Sequence, residues 1–337
     1  MSPTLLTTKA DSTISIPRGF REIPFNYTSA DDWQVVSFLL GSDIALILEE
    51  LRDRRVTGRS ARLLMRFFGE ILIYRRNPYL FQELVASAGR RKRMFDNAEK
   101  HLNIIEQNIG DEARVHKVLV ASRQLLDDFR GDVEKMPGLR RRMKRELGAV
   151  TGVANVLFDP FTLVSHATDA TDWRLHLPVA VVMPDKESQL SPLLTAIAKM
   201  GLKAVPRGGG TGLTGGAVPL RSDCVVINTE KLDRIRGTRD MTFKLRDGQS
   251  ATAQVLEVEV GVITEKAHQY AGSRGLVFAT DPTSAWASSI GGNIAENAGG
   301  KCAVRWGTCI DNLISWRMAM PGGKRWEVVG CPDQRPR

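Results

Sequence analysis

The first 28 residues are polar, with prolines at positions 3, 17 and 24, and follow neither a helical nor a strand period. They read as an extended lead-in. From Ser29 the apolar positions take helical spacing. Ser29 is placed to cap a helix, with Asp31 and Asp32 in the first turn, where the positive end of the dipole favours them. Val35, Val36, Leu39 and Leu40 recur along it, and Ile44, Ile47, Leu48 and Leu51 continue the period beyond Gly41. Leu63, Leu64, Phe67, Phe68, Ile71 and Leu72 predict a further helix. It should end near Asn77-Pro78, because the residue before a proline avoids the helical conformation, and Pro78 can open the next. A long region from Asp111 to Glu146 completes an all-helical segment, with an interruption expected at Met136-Pro137-Gly138.

After about Val150 the period changes. Leu177 to Met183 reads as a strand, Ser188 to Met200 as a helix ending at Gly201, and Leu202 to Val205 as the next strand. Cys224 to Asn228 is another strand. Asp240 to Val262 alternates around Asp247-Gly248 like a hairpin, Thr264 to Ala271 is a short helix, and Leu313 to Met320 and Lys324 to Val329 flank a Pro-Gly-Gly turn. The fold class is therefore α+β. The expected domains are a lead-in over 1–28, a helical domain over 29–150, an α+β domain over 151–330 and a tail over 331–337.

Between the strands at 202–205 and 224–228 lies Pro206-Arg207-Gly208-Gly209-Gly210-Thr211-Gly212-Leu213-Thr214-Gly215-Gly216. Glycines remove Cβ atoms from the backbone, so that successive N–H groups can turn toward one anion. A flexible surface loop is the plain alternative. A second run, Ile290-Gly291-Gly292-Asn293-Ile294-Ala295-Glu296-Asn297-Ala298-Gly299-Gly300, follows about eighty residues later, and two such runs suit one large ligand carrying a diphosphate. Gly210-x-Gly212-x-x-Gly215 also fits the dinucleotide fingerprint of the Rossmann fold. That motif needs a helix opening inside it, which Gly215, Gly216 and Pro219 oppose.

The net charge of +9 falls as +6 before Val150 and +3 after it, carried by clusters such as Arg90-Arg91-Lys92-Arg93. Solvated helix faces account for this, with a nucleic-acid surface as the alternative. Arg54, Arg55 and Arg59 with Gly58 read as a solvated turn, or else an anion site. The four cysteines form no Cys-x-x-Cys pair, so neither a zinc nor an iron–sulfur site is expected in this chain, and no metal ligands are assigned. No secretory start or membrane span is read, which makes the expected location cytoplasmic, free or at the periphery of the inner membrane. His268 receives no chemical role.

Residues from about Asp159 to Gly330 resemble the FAD-binding domain of the vanillyl-alcohol oxidase and p-cresol methylhydroxylase group, in particular its D-lactate dehydrogenase and glycolate oxidase branch. The segments that carry the resemblance are 206–216, Asp281-Pro282-Thr283-Ser284 and the run from Ser289 to Gly300. Arg305-Trp306-Gly307-Thr308 is similar to a following Tyr-Gly element. Arg21 to Ser29, Thr57 to Arg62, Arg75 to Leu80 and Asp159 to Arg174 resemble an uncharacterised domain that precedes the flavin domain in large bacterial FAD/FMN-containing dehydrogenases, many with an iron–sulfur portion.

The resemblance implies that Arg207, Gly208, Gly209, Gly210, Thr211, Gly212 and Leu213 wrap the FAD pyrophosphate. Ser288, Ile290, Gly291, Gly292, Asn293 and Asn297 would pack beside flavin and diphosphate, and Asp281, Pro282, Thr283 and Ser284 near the isoalloxazine. Relatives with covalent flavin carry a histidine where this chain has Gly210, which implies non-covalent attachment. The implied chemistry is oxidation of a 2-hydroxy acid, with hydride passing to the flavin N5. A substrate-binding domain and any iron–sulfur portion are expected to lie outside this chain, and no catalytic base is identified within it.

Overall fold

The computed structural model describes residues 32–52, 58–108, 113–171, 176–244 and 248–329. The lead-in, the Ser29 cap, Arg54 and Arg55, the side chain of Arg59, and the tail lie outside the described residues. The chain forms two compact units. One holds the described residues up to Asn77 together with Gly89–Arg130; the other holds Pro78–Ala88 and the chain from Gly131 onward. A domain boundary at 150 remains a reading of the sequence.

The helices up to Glu146, which both units share, are α1 (Asp32–Leu40), α2 (Ser42–Arg52), α3 (Gly58–Arg76), α4 (Pro78–Ala86), α5 (Ala88–Gln107) and α6 (Ala113–Glu146). The period read across Gly41 belongs to two helices, because Gly41 adopts φ +88° and ends the first. In the first unit α3 buries Leu64, Phe67, Phe68, Ile71 and Leu72, α5 buries Phe95, Ala98, Leu102 and Ile105, and α6 buries Val118, Leu119, Leu126 and Phe129. Phe95 and Phe129 pack with ring centroids 5.7 Å apart. Arg123 reaches Glu106 at 2.6 Å and Arg130 reaches Glu99, so α5 and α6 run antiparallel. Each buried Leu or Phe contributes about 1.5–3 kcal/mol and each such surface pair at most about 1 kcal/mol, so the apolar faces decide the packing.

The interruption expected at 136–138 does not occur: Pro137 lies inside α6. An internal proline costs about 3 kcal/mol. Fully buried Val133, Met143 and Leu147 along the same stretch outweigh it.

The second unit continues with α7 (Gly148–Thr151), β1 (Val156–Leu157), α8 (Pro160–Ser165), β2 (Ala180–Val182), α9 (Leu190–Lys199), β3 (Lys203–Arg207) and β4 (Cys224–Asn228). Asp159 caps α8 by accepting from the Thr162 N–H, and Pro160 opens it. The sheet order is β1-β2-β4-β3, with β1 antiparallel and the others parallel. The strand–helix–strand unit read from the sequence is therefore present, with β4 inserted between its two strands. All five residues of β4 are buried. Val225 and Ile227 pack with Leu193, Ile197, Met143 and Leu147 on one face, and Val226 packs with Val181 and Leu163 on the other. Coverage of both faces explains a continuous apolar run in place of alternation.

Beyond it lie β5 (Ile235–Lys244), β6 (Ser250–Val258), α10 (Thr264–Gly272), α11 (Ile290–Ala295), α12 (Ala303–Trp306), β7 (Ser315–Ala319) and β8 (Arg325–Val329). Strands β5 and β6 form the expected hairpin, and β7 and β8 a second antiparallel pair. The base of the first hairpin, through Ile235, Leu256 and Val258, packs on Val262, Ala267 and Ile290. Arg317 grips Glu187 through Nε and Nη2 at 2.7 and 3.0 Å, and Arg236 reaches Glu187 at 3.1 Å, which ties β7 and β5 to the start of α9.

Candidate cofactor site

The chain from Gly208 to Asp223 is a loop without helix, so the context required by the Rossmann fingerprint is absent. A Cβ on Gly208 would strike Ser289 Oγ, and one on Gly209 would overlap the Ala287 carbonyl oxygen. The first glycine run thus rests directly on residues 287–289, just ahead of the second run. Gly210 has φ +66°, and a Cβ there would collide with the Arg207 guanidinium. At the far end the Thr214 hydroxyl donates to Glu296 Oε2 at 2.7 Å. Among the described residues, the backbone N–H groups of Gly208 through Thr214 donate to no protein acceptor. Gly208 to Gly212 are half-buried, and Leu213 is 77% exposed. Seven successive donors on a glycine surface form a cradle suited to an oxyanion.

The second run is organised differently. Its start is α11, whose first turn is capped by Ser289 Oγ accepting from the Gly292 N–H at 3.3 Å. The N–H groups of Ile290 and Gly291 donate to the carbonyls of Val262 and Val260. Gly291 also lies so close to Val260 that a Cβ would sit 2.8 Å from the valine Cβ. Ser288 and Asn293 are buried, and both bond Thr264 Oγ1, at 2.8 Å each. Asn297 takes φ +48° and accepts from the Ile310 N–H at 3.0 Å.

The stretch ahead of it is a series of turns. The Pro282 carbonyl accepts from Ala285 N–H, and the Ser284 carbonyl accepts from both Ala287 and Ser288, while Thr283 is exposed. The Asp281 carboxylate has Lys301 Nζ at 4.0 Å and Cys302 Sγ at 3.8 Å, and its carbonyl presses on Gly300. The structure therefore brings Gly208 and Gly209 of the first run into contact with residues 287–289. It commits the side chains of Ser288, Asn293 and Asn297 to the protein itself.

Under the cradle, Arg207 and Asn228 share one rung of the β3–β4 ladder. Arg207 Nη1 donates to the Thr168 carbonyl. Asn228 Nδ2 donates to His166 Nε2 at 2.8 Å, while His166 Nδ1 lies 2.8 Å from the Thr162 carbonyl and so carries the proton. Burial pushes His166 below the ordinary imidazole range, the Thr162 bond opposing and the Arg207 charge adding to it. Burial also lowers Arg207, opposed by Asp169 and Glu230. His268 Nε2 meets the Thr280 carbonyl at 2.7 Å and its ring packs on Phe278, a packing role. Sequence reasoning gave no individual role to Ser289, Glu296, His166, Thr168 or Asn228, although all but Asn228 lie in the segments that carry the resemblance. Ser289 alone had a local signal, as a cap ahead of Ile290.

Residues 178–328 match the family model described as an FAD binding domain. This part of the chain is an FAD-binding domain. Residues 18–131 match a family described as a protein of unknown function. The glycolate oxidase subunit GlcD of Bacillus subtilis is 30% identical over 55% of this chain and 37% of its own. A D-2-hydroxyglutarate dehydrogenase of Xanthomonas citri is 28% identical over 50% of this chain and 34% of its own. Among solved structures, an alkyldihydroxyacetonephosphate synthase aligns with a TM-score of 0.48 at 20% identity, over 56% of this chain and 38% of that one. The chain spans about a third of the length of these curated relatives. The domain match over residues 178–328 makes FAD the cofactor, as the motifs implied. Among the described residues, no helix is long and apolar enough to cross a membrane.

Proposed function

We propose that this chain is the FAD-holding part of a flavin-dependent dehydrogenase that oxidises D-2-hydroxy acids of the glycolate, lactate or 2-hydroxyglutarate kind. The names of its relatives support that substrate class. The observation that carries the reading is the row of free donors from Gly208 to Thr214, held between two parallel strands and lying on residues 287–289. Those amides would bind the diphosphate, and Leu213 would cover its solvent side. Asp281, Pro282, Thr283 and Ser284 would border the ring system. Ser288, Ile290, Gly291, Gly292, Asn293 and Asn297 would serve by shaping the wall, since their donors and side chains are largely engaged within the protein.

FAD, when bound, supplies the two-electron acceptor chemistry. Attachment is non-covalent in this reading: the left-handed φ of Gly210 and the guanidinium beneath it leave no room for a histidine there. Substrate-holding residues, any catalytic base and any iron–sulfur portion are assigned to sequence outside these 337 residues, because the relatives' matched share is only about a third. The proposed location is cytoplasmic.

The test is the visible absorption spectrum of the purified protein, followed by acid release of the chromophore. A flavin spectrum with FAD in the supernatant is expected. A colourless protein that takes up no added FAD would overturn the reading, as would flavin that stays with the precipitate, for its non-covalent part.

A further inference from the structure

Arg207 ends β3 at the root of the cradle, and its side chain is engaged within the protein. Its Nη1 turns back across 39 residues of sequence to the Thr168 carbonyl, and its guanidinium fills the space beneath Gly210 that a side chain would otherwise occupy. The next residue, Asp169, spends one carboxylate oxygen on the backbone N–H and hydroxyl of Thr171. Its Oδ2 is buried without a hydrogen-bond partner. A carboxylate oxygen in that state is costly unless a cation stands near it. The same neighbourhood is fixed a second time where Asn228, on the rung shared with Arg207, donates to His166.

We propose that Thr168 and Asp169 are positioning residues for FAD binding: they hold the Arg207 guanidinium under Gly210, and so set the curvature of the cradle that receives the diphosphate. The inference rests on the flavin reading above. Burial depresses the Arg207 pKa, and the Asp169 charge opposes that loss, in keeping with a guanidinium kept cationic in place.

The sign of one substitution separates this role from simple electrostatics. Asp169→Asn removes a negative charge close to an anion site, which by Coulomb's law alone would strengthen binding of a diphosphate. Positioning predicts the reverse, an affinity loss of about tenfold, equivalent to about 1.4 kcal/mol. The measurement is titration of the full chain with FAD by flavin fluorescence, with ADP and riboflavin as separate competitors. Asp169→Asn should weaken FAD and ADP and leave riboflavin unchanged. Arg207→Lys keeps the charge but not the planar fork, and should lose affinity as Arg207→Ala does.

A ligand-free readout accompanies these: limited trypsin cleavage at the Arg207–Gly208 bond should be faster in Asp169→Asn than in wild type. Equal or tighter FAD binding by Asp169→Asn, wild-type affinity in Arg207→Lys, or equal losses for ADP and riboflavin would each overturn the proposal. Wild-type protein that binds no FAD would overturn the flavin reading and this inference with it. If Asp169→Asn loses its cooperative thermal transition, the Arg207→Lys result decides.

Discussion

The two glycine-rich runs look alike as text and behave in opposite ways as structure. From Gly208 to Thr214 the backbone donors of the loop have no protein acceptor among the described residues. From Ile290 onward the first donors are taken by Val262 and Val260, the next is capped by Ser289, and the polar side chains turn inward onto Thr264. In both, glycine allows one backbone to lie against another. Only in the first does it also leave N–H groups free for a guest. Glycine density therefore reports close approach, and what approaches has to be read from the donors.

The largest test of that contrast is the same substitution made in each run. Gly209→Ala forces a Cβ into the Ala287 carbonyl, which cannot yield without moving the backbone. It should cost about 1–3 kcal/mol in chemical denaturation and abolish FAD uptake. Gly292→Ala sits in a helix, where alanine is favoured over glycine by about 1 kcal/mol. Its nearest obstacle is Ser289 Oγ at 3.3 Å, so its stability should stay within about 1 kcal/mol of wild type. Equal damage from the two would mean that the two runs are held in the same way.

Next in size is Asn293→Ala, which strips the buried Thr264 hydroxyl of a donor. A loss of about 1–3 kcal/mol is expected, read from the urea midpoint. A change near zero would mean that the second run is not held from inside.

A smaller effect concerns pH. Because burial lowers the His166 pKa, the unfolded chain, titrating near 6.5, binds the proton more readily than the folded one. Stability should fall as pH drops below about 6.5 toward the depressed folded value, since a proton on Nε2 ends its acceptance from Asn228. Denaturation midpoints at pH 7.5 and 5.5 check this, and His166→Gln should flatten the difference. An unchanged slope in that variant assigns the loss to other groups. Smallest is Glu187→Gln, which breaks the fork with Arg317 at a partly exposed site and should cost less than about 1 kcal/mol.

Much of this was open to sequence reasoning, for a physical reason. Helical spacing such as Phe67, Phe68, Ile71 and Leu72, or the all-apolar interior of β4, expresses burial locally and can be read from a short window. The strand–loop–strand setting of Gly208 to Gly216 was legible because Gly215, Gly216 and Pro219 each oppose a helix. What escaped were outcomes set by distant partners. Pro137 stays helical because Met143 and Leu147 are buried against the sheet. Two glycines enter α11 because Ser289 and Thr264 secure it. The contact of Arg207 with Thr168 joins positions with no shared period at all.

The rung shared by Arg207 and Asn228 also settles where this domain tolerates changes in length. Side chains alternate along a strand, so one residue inserted into β3 would turn Arg207 to the opposite face and carry it away from Thr168. Leu220, Arg221 and Ser222, at the other end of the loop, are exposed and precede β4. Insertions there would leave both strand ends in register. A short epitope or reporter peptide belongs at that bend, where it can be added without disturbing the seven amides.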